Sequence, residues 1–251
     1  TFEPTYALHT HIARITSTSV RTLGRDERFV IDPATAEAAI ATGPADVVFV
    51  CSPNNPTGRA EPRETVERMA RATDGLLVVD EAYGQFASWS AVEMLGSDAG
   101  RRIAVVRTFS KTWALAGLRL GYVIASPEII DAAARVTLPY HLDAVKQVAG
   151  VVALRFHEAM SERVASVIEE RGRVVDALMG MPVDVWRSDA NFVLFRPRDV
   201  DGRALWEGLL SQSVLVRDIS SWPGLEGCLR VTIGTREDCD RFLAALANAL
   251  G

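Results

Sequence analysis

Val47-Val48-Phe49-Val50-Cys51 runs directly into Ser52-Pro53-Asn54-Asn55-Pro56-Thr57-Gly58. Five apolar residues, three of them β-branched, suit a strand buried on both faces of a parallel sheet. The seven that follow hold three polar turn formers, two prolines and a glycine between Ser52 and Gly58, a composition that fixes a rigid turn. The same arrangement recurs downstream. Leu76-Leu77-Val78-Val79 ends at Asp80-Glu81, Ile103-Ala104-Val105-Val106 ends at Arg107-Thr108, and Gly121-Tyr122-Val123-Ile124-Ala125 ends at Ser126-Pro127. Between the first two runs, Glu64 to Ala72 places Val66, Met69 and Ala70 on one helical face. This β–α–β rhythm predicts an α/β domain with a mostly parallel sheet. Polar clusters sit beyond the C-terminal ends of its strands, the edge where open α/β sheets hold ligands.

From about Asp143 the pattern changes. Val145 to His157 and Ser161 to Met179 read as long helices, the second with a stripe of Val164, Val167, Ile168, Val174, Val175 and Leu178. Strands are expected at Val183–Trp186, Asn191–Phe195, Val214–Val216 and Leu229–Ile233, and a helix at Gly202–Leu210. A last helix starts after Gly234 with Thr235 as N-cap and Asp238 at the reciprocal position. The expected organisation is a large domain over 1–155 and a smaller α+β domain over 156–251.

Composition narrows the classes. The chain has 251 residues, 48% of them hydrophobic, and a net charge of −5 with no basic run, which argues against nucleic acid as a partner. No apolar stretch approaches the length needed to span a membrane. Cys51, Cys228 and Cys239 are odd in number and widely spaced, which fits a reducing cytoplasm better than a disulfide framework or a zinc site. His9-x-His11 lacks a third ligand nearby, so no metal is expected.

Of 27 lysines and arginines, only Lys111 and Lys146 are lysines. A lysine amine can be deprotonated and form a Schiff base with an aldehyde, and an arginine cannot. Lys111 lies beside the hydroxyls of Thr108 and Ser110, with Arg119 eight residues on, a set suited to an anion held next to a reactive carbonyl. A solvated lysine in a polar loop is the plainer alternative. Lys146 lies in a helical stretch without such neighbours. Asp80 reads equally as a helix N-cap and as a carboxylate facing a cationic ring nitrogen, with Tyr83 close behind. The Ser52–Gly58 turn presents the Asn55 amide in one orientation, where it can hydrogen-bond a phenolic oxygen.

Asn54-Asn55-Pro56-Thr57-Gly58, then Asp80-Glu81-Ala82-Tyr83, then Ser110-Lys111 with Arg119 beyond, in this order, resemble the fold-type I aminotransferases that use pyridoxal phosphate. Pro4-Thr5-Tyr6, Thr108 to Gly121, Ala190 to Phe195 and Leu229 to Glu237 narrow the resemblance to the histidinol-phosphate aminotransferases. The resemblance implies that Lys111 forms the imine with the cofactor and moves the substrate's proton. It implies that Asp80 pairs with the ring nitrogen, that Tyr83 and Asn55 bond the ring hydroxyl oxygen, and that Tyr6 stacks on the ring. Thr108, Ser110 and Arg119 would hold the cofactor phosphate, and Arg230 the substrate carboxylate.

The implied reaction moves an amino group from L-histidinol phosphate, a small-molecule donor, to a 2-oxo acid acceptor, 2-oxoglutarate, in a cytoplasmic homodimer. An aromatic aminotransferase, a phosphothreonine-type decarboxylase and an inert truncated chain are the alternatives. A nicotinamide-binding Rossmann enzyme is disfavoured, because no Gly-x-Gly-x-x-Gly follows a strand. Family members carry a further N-terminal portion ahead of the match to Thr1–Tyr6, with an arm, helices and a glycine-containing phosphate loop. The expectation is therefore a piece of a longer enzyme, with weakened cofactor affinity.

Overall fold

The computed structural model describes residues 1–251 except Pro44. In chain order its elements are β1 (Phe2–Glu3), α1 (Leu8–Ile15), β2 (Leu23–Gly24), α2 (Pro33–Thr42), β3 (Val47–Cys51), α3 (Arg63–Ala72), β4 (Leu76–Asp80), β5 (Ile103–Thr108) and β6 (Gly121–Ile124). They continue with α4 (Pro127–Val136), α5 (Ala144–Ala153), α6 (His157–Met179), β7 (Val183–Val185), β8 (Phe192–Pro197), α7 (Gly202–Ser211), β9 (Arg217–Asp218), β10 (Leu229–Thr232) and α8 (Arg236–Leu250). The α/β class expected from the sequence is what the chain adopts.

The large sheet has the order β3-β4-β5-β6. Its first three strands are parallel, with Val48, Val50, Leu77, Val79, Ile103 and Val105 buried in one core with Val66 and Met69 of α3. The fourth apolar run departs from expectation, since β6 pairs antiparallel with β5. A parallel return needs a crossover, usually a helix. The connection from Phe109 to Leu120 holds only the 3₁₀ turn Ala116–Leu118 and folds straight back. β6 is also an edge strand, and its Val123 is 43% exposed.

The small sheet, in order β7-β8-β10-β9, is antiparallel throughout. Its core joins Val193, Phe195, Leu229 and Val231 to Leu205 and Leu209 of α7, Phe242 and Leu246 of α8, and Val174 and Leu178 of α6. The strand expected at Val214–Val216 forms instead at Arg217–Asp218. The Val214 amide is spent on Leu209 O and the Val216 carbonyl on the Trp206 indole, so this backbone cannot enter the ladder earlier. The Thr235–Asp238 capping box is present at the head of α8 as its spacing predicts.

α6 begins at His157, earlier than its apolar stripe suggests, and a 3₁₀ turn at Leu154–Phe156 separates it from α5. Met160 and Val164, near its start, belong to a third cluster with Tyr83, Phe86, Phe109, Trp113 and Phe192. That cluster draws side chains from both sheets and floors the region described next. Trp113 is therefore a packing residue.

Among the described residues no helix is long and apolar enough to cross a membrane. All three cysteines are free and buried; burial pushes the Cys228 thiol up to about 11 and raises that of Cys51, with Asp80 adding to the rise.

Candidate active site

β3 and β4 run parallel with Cys51 opposite Asp80, so the Ser52–Gly58 turn and Asp80 leave the sheet side by side. The Ser52 amide donates to Asp80 O at 2.9 Å, and the turn closes through Gly58 N to Asn54 O at 2.7 Å. β5 ends at Thr108, which brings Ser110 and Lys111 to the same C-terminal edge. Asp80 does not cap a helix. Its Oδ1 accepts from Ala82 N at 2.9 Å, which shapes the turn that aims Tyr83 inward. Glu81, its neighbour, points the other way into an ion pair with Arg107 at 2.8 Å and accepts from Ala91 N and Ser90 Oγ. The acidic pair thus splits into one carboxylate at the strand end and one that is buried and structural.

A continuous run of contacts links the candidates. Lys111 Nζ lies 5.0 Å from the Tyr83 ring centroid. Tyr83 meets Phe192 edge-on at 5.1 Å, and the Arg230 guanidinium lies 4.6 Å from the Phe192 ring. Arg230 Nη1 then donates to Asn55 Oδ1 at 2.6 Å. Burial lowers the Arg230 guanidinium from its ordinary value; Tyr83 opposes this and Arg217 adds to it. Among the described residues its Nε is buried without a partner.

Tyr6 and Asp80 are joined through a residue that the sequence reading set aside. His9 Nε2 lies 3.0 Å from Asp80 Oδ2, its ring stacks on Phe49 at 4.8 Å, and Tyr6 meets it edge-on at 5.5 Å. In the sequence His9 reads only with His11, as a metal pair. The usable signal was its spacing from Tyr6, three residues, which sets both rings on one side of a helical turn. Arg217 carries no motif that marks it in the sequence. It pairs with Arg230 across the β9–β10 ladder, and cross-strand partners share a face.

The three anion-binding candidates are less assembled. Ser110 N donates to Thr108 Oγ1 at 3.0 Å, but Thr108 Oγ1 donates to Leu120 O at 3.3 Å. Arg119, in a left-handed conformation at φ 52°, donates to Ala116 O at 3.1 Å. Among the described residues no hydrogen bond joins Arg119 to Thr108 or Ser110. Lys146 sits in the first turn of α5, 3.0 Å from Asp143, away from these groups.

The turn also clasps the small sheet's side of the molecule. Asp189 N donates to Gly58 O at 2.7 Å, and Ala60 N to Asp189 Oδ2 at 3.1 Å. Gly58 has φ +80°, and a Cβ there would lie 2.5 Å from Ser188 Oγ. Only glycine meets both demands without strain.

The chain is similar to known proteins over nearly its whole length. A histidinol-phosphate aminotransferase of Mycobacterium avium (strain 104) is 44% identical over 98% of this chain. One from Thermobifida fusca (strain YX) is 43% identical over the whole chain. The chain spans 61% of the first of these proteins and 67% of the second. The crystal structure of the histidinol-phosphate aminotransferase from Clostridium acetobutylicum superposes with a TM-score of 0.91 at 25% identity, covering 99% of this chain and 76% of that one. The family model described as aminotransferase class I and II matches residues 1–246, and the chain belongs to that family.

Proposed function

We propose that this chain acts as a pyridoxal-phosphate aminotransferase, moving the amino group of L-histidinol phosphate to 2-oxoglutarate in histidine biosynthesis. The observation that carries the reading is the single aromatic step, Tyr83–Phe192, between the Lys111 amine and the Arg230 guanidinium. An amine for an aldehyde and a fork for a carboxylate are thereby held at one site. Identity of 43–44% to proteins named histidinol-phosphate aminotransferase supports the choice of donor. The pairing of Arg217 with Arg230 supports it too, because the phosphate that histidinol phosphate carries in place of a carboxylate brings a larger negative charge for the two guanidinium groups to meet.

The donor set fits the cofactor chemically. Lys111 would take the aldehyde, Asp80 the ring nitrogen, Tyr83 and Asn55 the ring hydroxyl oxygen, and Tyr6 a ring face. Thr108, Ser110 and Arg119 would take the phosphate once the Thr108 hydroxyl and the Arg119 guanidinium turn from backbone carbonyls. Pyridoxal phosphate, when bound, supplies an aldehyde and an electron-accepting ring. Asp80 is already oriented by His9 and by Ala82 N, so its carboxyl group stands in a fixed direction at the strand end. Lys111 Nζ, exposed and free of an ion pair among the described residues, can take a proton from the substrate carbon and return it on the far side of the reaction. Arg230 orients the substrate by its carboxylate or phosphate while Asn55 holds its Nη1. Division at 1–155 and 156–251, a homodimer and a cytoplasmic setting complete the proposal.

Amine transfer assayed with histidinol phosphate, phenylalanine and tyrosine as donors tests the reading, alongside carbon dioxide release from phosphothreonine. Preferential turnover of histidinol phosphate is expected. Release of carbon dioxide, preference for an aromatic donor, or no borohydride-sensitive imine with pyridoxal phosphate each overturns it.

A further inference from the structure

Asn54, the neighbour of Asn55, is fully buried and satisfies its whole amide. A carboxamide offers two N–H donors and one carbonyl acceptor. Here Nδ2 donates to Pro4 O and to Thr57 Oγ1, both at 2.9 Å, and Oδ1 accepts from Thr5 Oγ1 at 2.7 Å. Its backbone closes the turn, with N donating to Arg59 O and O accepting from Gly58 N. Thr5 and Thr57 are buried as well, at 3% and 0% exposure, so water cannot substitute for these partners.

The partners belong to two segments far apart in sequence. β1 pairs with β2 only through Phe2 and Glu3. Among the described residues, the hydrogen bonds that fix Pro4 and Thr5 to a distant part of the chain are the two made to Asn54. Tyr6 follows at once. On the other side, Asn55 follows Asn54 and carries Arg230. The two asparagines divide the work: Asn55 points to the site, and Asn54 points inward and fixes where its neighbour stands.

We propose that Asn54 is a positioning residue that locks the Tyr6 segment to the Asn55 turn, so that the ring-face contact and the ring-oxygen contact move as one unit. The proposal rests on the reading of Tyr6 and Asn55 given above. A buried polar group that only stabilises the core is the competing account, and the two differ in what they move.

Asn54→Asp keeps the shape and replaces the Nδ2 donor with an acceptor facing Pro4 O. The expected result is amide exchange about tenfold faster in peptides covering both 1–12 and 52–60, the scale of one lost net hydrogen bond. The dissociation constant for pyridoxal phosphate, read by tryptophan fluorescence, rises by about the same factor. Thr73→Ala, at a buried threonine whose hydroxyl among the described residues bonds only Gly75 N, serves as the control; it lowers stability and leaves both readings unchanged. Faster exchange in 52–60 with 1–12 unchanged overturns the proposal, as does unaltered cofactor affinity once 1–12 has loosened. If Asn54→Asp does not fold, Thr5→Val removes one of the two ties and is held to the same two readings. Failure of the wild-type chain to form an imine rejects the functional reading, while the exchange data still decide whether the two segments are coupled.

Discussion

Arg230 Nη1 donates to Asn55 Oδ1 at 2.6 Å, so a strand of the small sheet is tied to the turn that ends a strand of the large one. A guanidinium can hold Asn55 with one nitrogen and keep others for an anion; an ammonium cannot do both in a fixed geometry. Arg230→Lys is predicted to raise KM for 2-oxoglutarate about thirtyfold, the equivalent of ~2 kcal/mol for a charge-assisted hydrogen bond. Steady-state kinetics of the wild type and this variant check it.

The two lysines make opposite predictions. Lys111→Ala abolishes the borohydride-sensitive imine band with pyridoxal phosphate, whereas Lys146→Ala keeps it, since Lys146 is paired with Asp143 on α5. Absorption spectra before and after reduction decide between them.

Glu81 and Arg107 form a pair with side chains only 3% and 16% exposed. Removing one member leaves a buried charge without a partner, which costs about 3–5 kcal/mol. Glu81→Leu is therefore predicted to lower the urea midpoint sharply. Loss of stability is expected even though this carboxylate adjoins Asp80.

Gly58→Ala meets a left-handed backbone and a Ser188 hydroxyl at 2.5 Å. The left-handed conformation alone costs ~1–2 kcal/mol. Displacement of Ser188, which donates to Phe192 O, disturbs the ring beneath Arg230. Both a lower Tm and a raised KM are expected.

The head of α8 supplies a pH prediction. The Thr235 hydroxyl and the Thr235 amide hold the Asp238 carboxyl below the usual carboxylate value. A depressed folded pKa means that its stabilisation is complete above about pH 4, the unfolded value, and is lost as the pH falls through the folded one. Urea titrations from pH 6 to pH 2.5 are predicted to show a shallower acid loss in Asp238→Asn than in wild type. Thr235→Ala, which removes the cap itself, costs about 1 kcal/mol at neutral pH.

Much of this arrangement was legible in the sequence because it is local. Apolar runs such as Val47–Cys51 and caps such as Thr235–Asp238 declare themselves within a few residues. The direction of β6 was not, since four apolar residues suit either direction and only the lack of a helix in Phe109–Leu120 decides. β9 was displaced by a competition for backbone groups between Val214, Val216 and α7 that no strand propensity registers.

Within the site, the order of motifs pointed to Lys111, Asp80, Tyr83 and Asn55, and folding sets these residues near one another. His9 and the buried Arg25–Glu61 pair stayed hidden because their partners are 71 and 36 residues away. The Glu61 carboxyl, raised by burial and lowered by Arg25, has meaning only once that distant contact exists.

α6 packs Met160 and Val164 into the cluster beneath Tyr83, and Val174 and Leu178 into the core of the small sheet. Its 23 residues make a rod about 34 Å long. A rod anchored in two cores works as a crank. Tilting it by about 5° carries one end roughly 3 Å, by the geometry of that length. Any swing of the small sheet that brings Arg230 toward a substrate is thus felt at Trp113 and Phe109, on either side of Lys111, without a loop to relay it.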